Sequence, residues 1–142
     1  IDEVNVVNAI SKLKVALANP ADTDDVASYQ LRCLIHYVGD IHQPLHATSM
    51  YSEEFPDGDR GGNSFTLDEH NDVKNLHALW DSVVQAYPDD WEQPLSSEDL
   101  ENASNASADI RKTFPRGRLF LTSNDPADWA KESNEACKSV VY

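Results

Sequence analysis

The sequence contains two pairs of a histidine and an aspartate that are four residues apart. His36 and Asp40 lie in HYVGDIHQPLH, and His77 and Asp81 lie in NLHALWD. Residues four apart on an α-helix project from the same face, so each pair can present an imidazole nitrogen beside a carboxylate oxygen. These donors suit zinc, and a ligand set without cysteine favours a catalytic over a purely structural zinc site.

A third histidine strengthens the metal interpretation. An isolated His–Asp pair on a helix is more often a structural hydrogen bond, but His46 follows Pro44, where the turning chain can bring its ring back towards Asp40. His42 and His70 have no partner at helical spacing, so we expect them to lie outside the direct ligand set or on the surface. The predicted ligands are His36, Asp40, His46, His77 and Asp81.

The first His–Asp pair lies on a helix that is predicted to have Asp24 or Asp25 as its N-terminal cap and to run to about residue 42. Its opposite side carries His36 and Asp40 with tyrosines and a cysteine, rather than the Lys and Glu of a solvated face. This composition predicts a helix buried on both sides, whose polar residues need partners. A helical wheel gathers the apolar residues on one side: Ala27, Leu31, Leu34, Ile35, Val38 and Ile41.

The other elements are predicted to be helical, apart from one hairpin. Apolar residues at helical spacing predict a helix over residues 2–18, and Asn75 caps a helix through about residue 86. Ser97, in the segment SSEDL, suits the start of a fourth helix, and Asp125 before Pro126 suits the start of a fifth and last. After a loop over residues 47–62, a strand at 63–67 and a return strand near 72–74 predict a short β-hairpin near 63–74. We therefore expect a mostly α-helical single domain over residues 1–142.

The composition limits the classes of function. A chain of 142 residues can form one domain with a core, and no apolar run reaches the length of a membrane span. The net charge of -14 disfavours a nucleic-acid binder that uses a basic patch. The exception is a protein whose positive charge comes from bound metal, which a count of side chains omits.

The cysteines and two glycosylation sequons bear on the cellular compartment. Cys33 and Cys137 could form a disulfide, remain two buried thiols, or pair with cysteines elsewhere. Neither belongs to a CxxC motif, which disfavours a cysteine zinc site. The sequons at Asn102 and Asn105 favour a secretory route, so we expect a secreted or secretory/vacuolar protein.

Three motifs together resemble a known family. HYVGDIHQPLHA, DRGGN and NLHALWD, in this order and spacing, resemble the zinc-dependent class I nucleases of fungi, plants and protozoa, the single-strand-specific S1/P1 type. The segment DPADWAKESNEAC resembles their WA-x-ES helix. The resemblance implies a multi-helix fold shared with phospholipase C and three zinc ions. It also implies cleavage of single-stranded DNA and RNA to 5′-nucleotides, and removal of 3′-phosphates from 3′-nucleotides.

The resemblance also implies roles for individual residues. His46, His77 and Asp81 would hold one zinc ion. His36 and Asp40 would hold part of a second, and Asp40 would bridge towards the third as the catalytic carboxylate. Asn63 would hydrogen-bond the base of the nucleotide, while Gly61 and Gly62 would let backbone approach that base. The alternative for these last three residues is an ordinary turn before a strand.

The chain also departs from the family pattern. The family's N-terminal tryptophan and its upstream histidine and aspartate ligands have no counterpart in a sequence that begins at Ile1. We therefore expect the central portion of a longer enzyme, with a possible need for the missing N-terminal segment, where the family's partner of Cys137 would lie. Two alternatives stay open. One is a zinc-dependent phospholipase C, which shares HYxGDxxQPxHA but has Glu at the position of Asp81, and the other is a non-catalytic zinc-binding fragment.

Overall fold

The computed structural model describes residues 4–19, 23–70, 73–83, 86–87, 93–115 and 123–142, and this part of the chain is mostly α-helical, as predicted. None of the helices within it is long and apolar enough to cross a membrane. The elements are α1 Val6–Leu17, α2 Asp24–Ile41, a 3₁₀ helix Pro44–Ala47, β1 Thr66–His70, β2 Val73–Asn75, α3 Leu76–Asp81, α4 Ser97–Thr113, α5 Pro126–Ala136 and a π-helical turn Cys137–Val141.

The starts of the first two helices are set by side-chain caps. Asn5 accepts a hydrogen bond from the backbone of Asn8, so α1 begins four residues later than predicted. Thr23 caps α2 by accepting from Val26, so the prediction of an Asp24 or Asp25 cap is wrong. The two aspartates lie instead in the first turn, where the helix dipole favours negative charge.

Helix α2 is more exposed than its composition predicts. It packs against α1, α5 and the 3₁₀ helix. Ile41, at the end that faces α5 and the 3₁₀ helix, is only 2% exposed, but Leu31 and Ile35 are 49% and 64% exposed. The prediction that both sides of α2 are buried is therefore wrong for the described structure. The reason is that its partners meet one side and one end of the helix.

The hairpin lies in the predicted region, but its first strand is shifted. Thr66 pairs with Asn75 and His70 with Val73 in an antiparallel arrangement. Residues 60–63 form a turn, in which Arg60, Gly61 and Gly62 have φ values of 59°, 65° and 80°. Three consecutive left-handed residues cannot continue into a strand, so pairing starts only at Thr66 rather than at residue 63.

Helix α3 is capped by Asn75 as predicted, but it ends at Asp81 rather than near residue 86. Ser82 is its C-terminal cap, and Val83 has a φ of 52°, which takes the backbone out of the right-handed helical region. The short helix is still long enough to carry both His77 and Asp81.

The last two helices have strong N-terminal caps. Ser96, not Ser97, caps α4, and it forms a reciprocal capping box with Asp99. Asp125 caps α5 with Pro126 in the first turn, as predicted.

A small core joins the elements that surround the His and Asp residues. Helix α5 contributes two polar anchors at this junction. The hydroxyl of Ser133 donates to the carbonyl of Ile41 at 2.7 Å, and the amide of Asn134 donates to the carbonyl of Ala47 at 3.1 Å. These bonds hold the end of α2 and the 3₁₀ helix in place. The core consists of Leu45, Leu76 and Cys137, with Phe65, Trp80 and Val141 packed around them.

Candidate metal centre

The structure brings together His46 from the 3₁₀ helix with His77 and Asp81 from α3. The Nε2 atoms of His46 and His77 lie 3.4 Å and 3.3 Å from the two carboxylate oxygens of Asp81. One donor atom from each residue lies within 4.8 Å of the others. Ligand atoms around a tetrahedral zinc, with bonds near 2.0–2.1 Å, are separated by about 3.3–3.4 Å. The donor types and spacings therefore fit a zinc ion.

The ring of His77 is oriented by the DRGGN loop. Its Nδ1 lies 2.7 Å from the carbonyl oxygen of Gly61. A carbonyl only accepts hydrogen bonds, so Nδ1 carries a proton, and Nε2, which faces Asp81, is the ring nitrogen that could bind a metal. Histidine ligands of metals almost always have their other ring nitrogen held by such a bond, which fixes the tautomer.

The ring of His46 stacks on the ring of His77, with centroids 5.0 Å apart and planes inclined by 20°. Leu45, 2% exposed, anchors the 3₁₀ helix in the core, so the next residue must point away from that core. The side chains of His46 and His77 are 28% and 20% exposed, and that of Asp81 is 47% exposed. An open cleft of about 520 Å³ borders His46 and Asp81 and leaves room for further ligands or substrate.

The first His–Asp pair lies next to this triad without completing a second one. His36 Nε2 is 3.1 Å from Asp40 Oδ2, while Asp40 Oδ1 is 3.8 Å from His46 Nδ1. The side chain of His36 is 70% exposed, so the predicted burial of this pair is wrong. Among the described residues, the one cluster with donors from three His, Cys, Asp or Glu side chains is His46, His77 and Asp81.

Asp59, the first residue of DRGGN, is a buried carboxylate that our sequence analysis missed as a structural centre. It accepts hydrogen bonds from Ser49 Oγ at 3.1 Å, from the Met50 backbone at 2.9 Å and from the Tyr142 hydroxyl. Burial alone would raise the pKa of Asp59, but these donors together with the Gly62 backbone hold that pKa below its usual value. The aspartate within the motif was the signal in the sequence.

The two glycines of DRGGN are packing residues in this structure. A Cβ atom on Gly61 would lie 2.5 Å from the carbonyl oxygen of Leu45, and one on Gly62 would lie 3.2 Å from the backbone nitrogen of His77. Both glycines are buried. Their lack of a side chain lets the loop lie directly against the 3₁₀ helix and α3. The predicted approach of their backbone to a base stays a prediction.

Asn63 is exposed, and its Nδ2 donates to the carbonyl oxygen of Arg60 at 3.0 Å. The structure thus contains the turn that was the alternative interpretation of Gly-Gly-Asn. One amide hydrogen is used in that turn, and the base contact implied for Asn63 stays a prediction.

His42 lies outside the triad. His42 Nδ1 lies 2.7 Å from the carbonyl of Val38, and its ring is 5.3 Å from Trp129. His42 is exposed at the end of α2, and its place outside the ligand set stays a prediction. His70 ends β1, and its side chain lies outside the described part.

Cys33 and Cys137 are both free thiols, so they do not form the disulfide that was one of three possibilities. Cys137 is buried and Cys33 is half-buried, and burial raises the pKa of the Cys137 thiol. Asn102 and Asn105 are exposed on α4, and their glycosylation stays a prediction.

Segments of this chain are similar in sequence to parts of known plant and fungal proteins. Endonuclease 4 of Arabidopsis thaliana is 33% identical over 84 residues, which are 56% of this chain and 26% of that protein. Endonuclease 3 of the same plant is 43% identical over 54 residues, 38% of this chain and 16% of that protein. Nuclease S1 of Aspergillus oryzae is 35% identical over 52 residues, 37% of this chain and 15% of that protein.

The matched segments thus span about a quarter or less of the lengths of these relatives. The sequence model of the S1/P1 nuclease family, in contrast, matches residues 1–142. The motifs that hold the His and Asp cluster lie within that match, and the chain belongs to the S1/P1 nuclease family.

Proposed function

We propose that this chain forms part of a zinc-dependent enzyme that hydrolyses phosphodiester bonds in single-stranded DNA and RNA to 5′-nucleotides and acts as a 3′-nucleotidase. The observation that carries the proposal is the convergence of His46, His77 and Asp81: the two Nε2 atoms lie 3.4 Å and 3.3 Å from the two carboxylate oxygens of Asp81, and one donor atom from each residue lies within 4.8 Å of the others. This spacing matches a zinc site within a chain of a nuclease family.

Bound zinc would supply positive charge for a phosphate group and activate a water molecule. The chain's own residues supply the rest of the site. His77, held by Gly61, and His46, stacked on it, present ring nitrogens, while the Asp81 carboxylate provides negative charge. Asp40 lies between His36 and His46 at the edge of the cleft, where its charge can serve a neighbouring metal.

The substrate preference rests on the open cleft and on Asn63. A flexible single strand can turn one base out while its phosphate lies in the cleft, whereas a duplex must first lose stacking energy. The exposed sequons on α4 support a secreted or secretory/vacuolar location.

A second candidate function is a zinc-binding fragment without catalysis. It is favoured by the exposed His36–Asp40 pair, which belongs to no group of three converging donors within the described residues. Two donors bind zinc weakly, so we expect the 142-residue polypeptide to hold fewer than three zinc ions and to have little nuclease activity by itself.

The test compares cleavage of a single-stranded oligonucleotide, the matching duplex and phosphatidylcholine by the zinc-loaded full-length protein and by the 142-residue polypeptide. We expect the full-length protein to cleave the single strand to products with 5′-phosphates, and to lose that activity with a chelator. Hydrolysis of phosphatidylcholine instead would favour the phospholipase C alternative. Stoichiometric zinc without cleavage by either protein would favour the non-catalytic fragment. Robust cleavage by the polypeptide would refute the need for a further segment.

A further inference from the structure

We infer that Gln43 is a positioning residue that couples the two elements of the candidate zinc site. The inference rests on the proposed function, because it concerns the same three donor residues. Gln43 Nε2 donates to Asp81 Oδ1 at 2.9 Å, and Gln43 Oε1 accepts from the backbone of Leu45. One amide therefore connects α3 to the 3₁₀ helix, 38 residues apart in sequence.

The oxygen of the Gln43 amide fixes the element that carries His46. Gln43 is the N-terminal cap of the 3₁₀ helix, and its backbone carbonyl accepts from the His46 nitrogen at 3.0 Å. Both bonds set the turn in which His46 lies. A displaced turn would move the imidazole relative to Asp81, from which it is now 3.4 Å away.

The nitrogen of the same amide fixes the carboxylate of Asp81. This side chain is 47% exposed, so packing alone leaves it free to rotate. The bond from Gln43 holds Oδ1 and leaves Oδ2 at 3.3 Å from His77 Nε2. A neutral amide orients the carboxylate without the positive charge of Lys or Arg, which would repel zinc. Partners of this kind around metal ligands change metal affinity by about 10–100-fold.

Two substitutions separate capping from bridging. Gln43→Ser keeps an oxygen that can accept from the first turn of the 3₁₀ helix, but its side chain is too short to reach Asp81. Gln43→Asn also keeps a capping oxygen on a shorter side chain, so loss of fold in one variant still leaves the other to measure. Gln93→Ser makes the same chemical change at an exposed position and is the matched control.

The experiment measures zinc affinity by competition with a chromophoric chelator, and Tm for each zinc-free protein. We expect Gln43→Ser and Gln43→Asn to bind zinc about 10–100-fold more weakly than the unmodified protein. Their zinc-free Tm should stay close to that of Gln93→Ser, which a purely structural role for Gln43 would not produce. Unchanged zinc affinity in a folded Gln43→Ser or Gln43→Asn protein would overturn the inference alone. Absence of zinc binding by the unmodified protein would overturn the proposed function and the inference together.

Discussion

The Nδ1–H of His77 donates a hydrogen bond of 2.7 Å to the carbonyl oxygen of Gly61. This bond joins NLHALWD to DRGGN, 16 residues earlier in the chain. Gly61 in turn lies against the carbonyl of Leu45, the neighbour of His46. The three motifs of the family are therefore one packed unit, in which the loop determines where the imidazole of His77 points.

Gly61→Ala should damage both the fold and the metal centre. The residue has a φ of 65°, and the new Cβ would lie 2.5 Å from the Leu45 carbonyl oxygen. We expect a loss of about 2 kcal/mol in the free energy of unfolding, measured by urea denaturation, and weaker zinc binding. Gly39→Ala is the control. Apart from its chain neighbours and the backbone of its own helix, nothing lies within 4 Å of its Cβ position, and alanine in a helix interior should stabilise by about 0.5–1 kcal/mol. Equal stability of Gly61→Ala and the unmodified protein would contradict the packing role.

His77→Ala should remove zinc from the site formed with His46 and Asp81. When the site is filled, these three residues should lie about 2.0–2.2 Å from one zinc ion, and loss of one of three protein ligands should lower the zinc content of the purified protein. Elemental analysis measures this content. His42→Ala is the matched control, since His42 is exposed and bonds to Val38 rather than to the cluster. If His77→Ala has the same zinc content as the unmodified protein, the proposed ligand set is wrong.

Asp59 should make the free energy of unfolding fall as the pH is lowered in the acidic range. Its pKa in the folded protein lies below the value of about 3.9 for an unfolded chain, because the hydrogen bonds of Tyr142, Met50, Gly62 and Ser49 outweigh the effect of burial. A lowered folded pKa means that the carboxylate's stabilisation is complete above about pH 4 and is lost as pH falls through the folded pKa.

Asp59→Asn should therefore be less stable at neutral pH, and its Tm should change less than that of the unmodified protein between about pH 4 and pH 2. Tyr142→Phe removes one donor, so the pKa of Asp59 should rise towards the unfolded value, and the loss of Tm on acidification should be smaller and level off at a higher pH. Thermal unfolding across this range measures both effects. Identical pH profiles for all three proteins would show that the buried carboxylate has no such role.

Asn63→Ala should change nucleotide binding more than chemistry in the full-length enzyme. Metals bind phosphate, which every nucleotide shares, while an amide can pair with a base edge. We expect a higher KM for dinucleotides and 3′-nucleotides with intact zinc content. Asp40→Asn should instead abolish turnover, because it removes charge beside His36 and His46. If Asn63→Ala loses metal, or leaves every kinetic constant unchanged, Gly-Gly-Asn is only the turn seen here.

Features that depend on interactions between neighbouring residues could be predicted from the sequence. A spacing of four residues on a helix is enough to put His36 beside Asp40 and His77 beside Asp81, whatever the rest of the chain does. The Asn75 cap of α3 and the Asp125–Pro126 start of α5 follow in the same way from neighbouring residues. The shift of β1 was also local in origin, but three consecutive left-handed residues are not evident from the letters Arg-Gly-Gly alone.

Only the tertiary structure decided which donors meet. His46 contacts Asp81, 35 positions away, because Leu45 and Leu76 share one core and bring the 3₁₀ helix against α3. The burial of Asp59 likewise depends on Tyr142, 83 positions away. Helix α2 also shows that burial depends on tertiary contacts, since its apolar pattern predicted burial that its packing partners do not provide. Residue spacing determines what one helix can present, whereas burial and ligand pairing depend on which distant surfaces pack together.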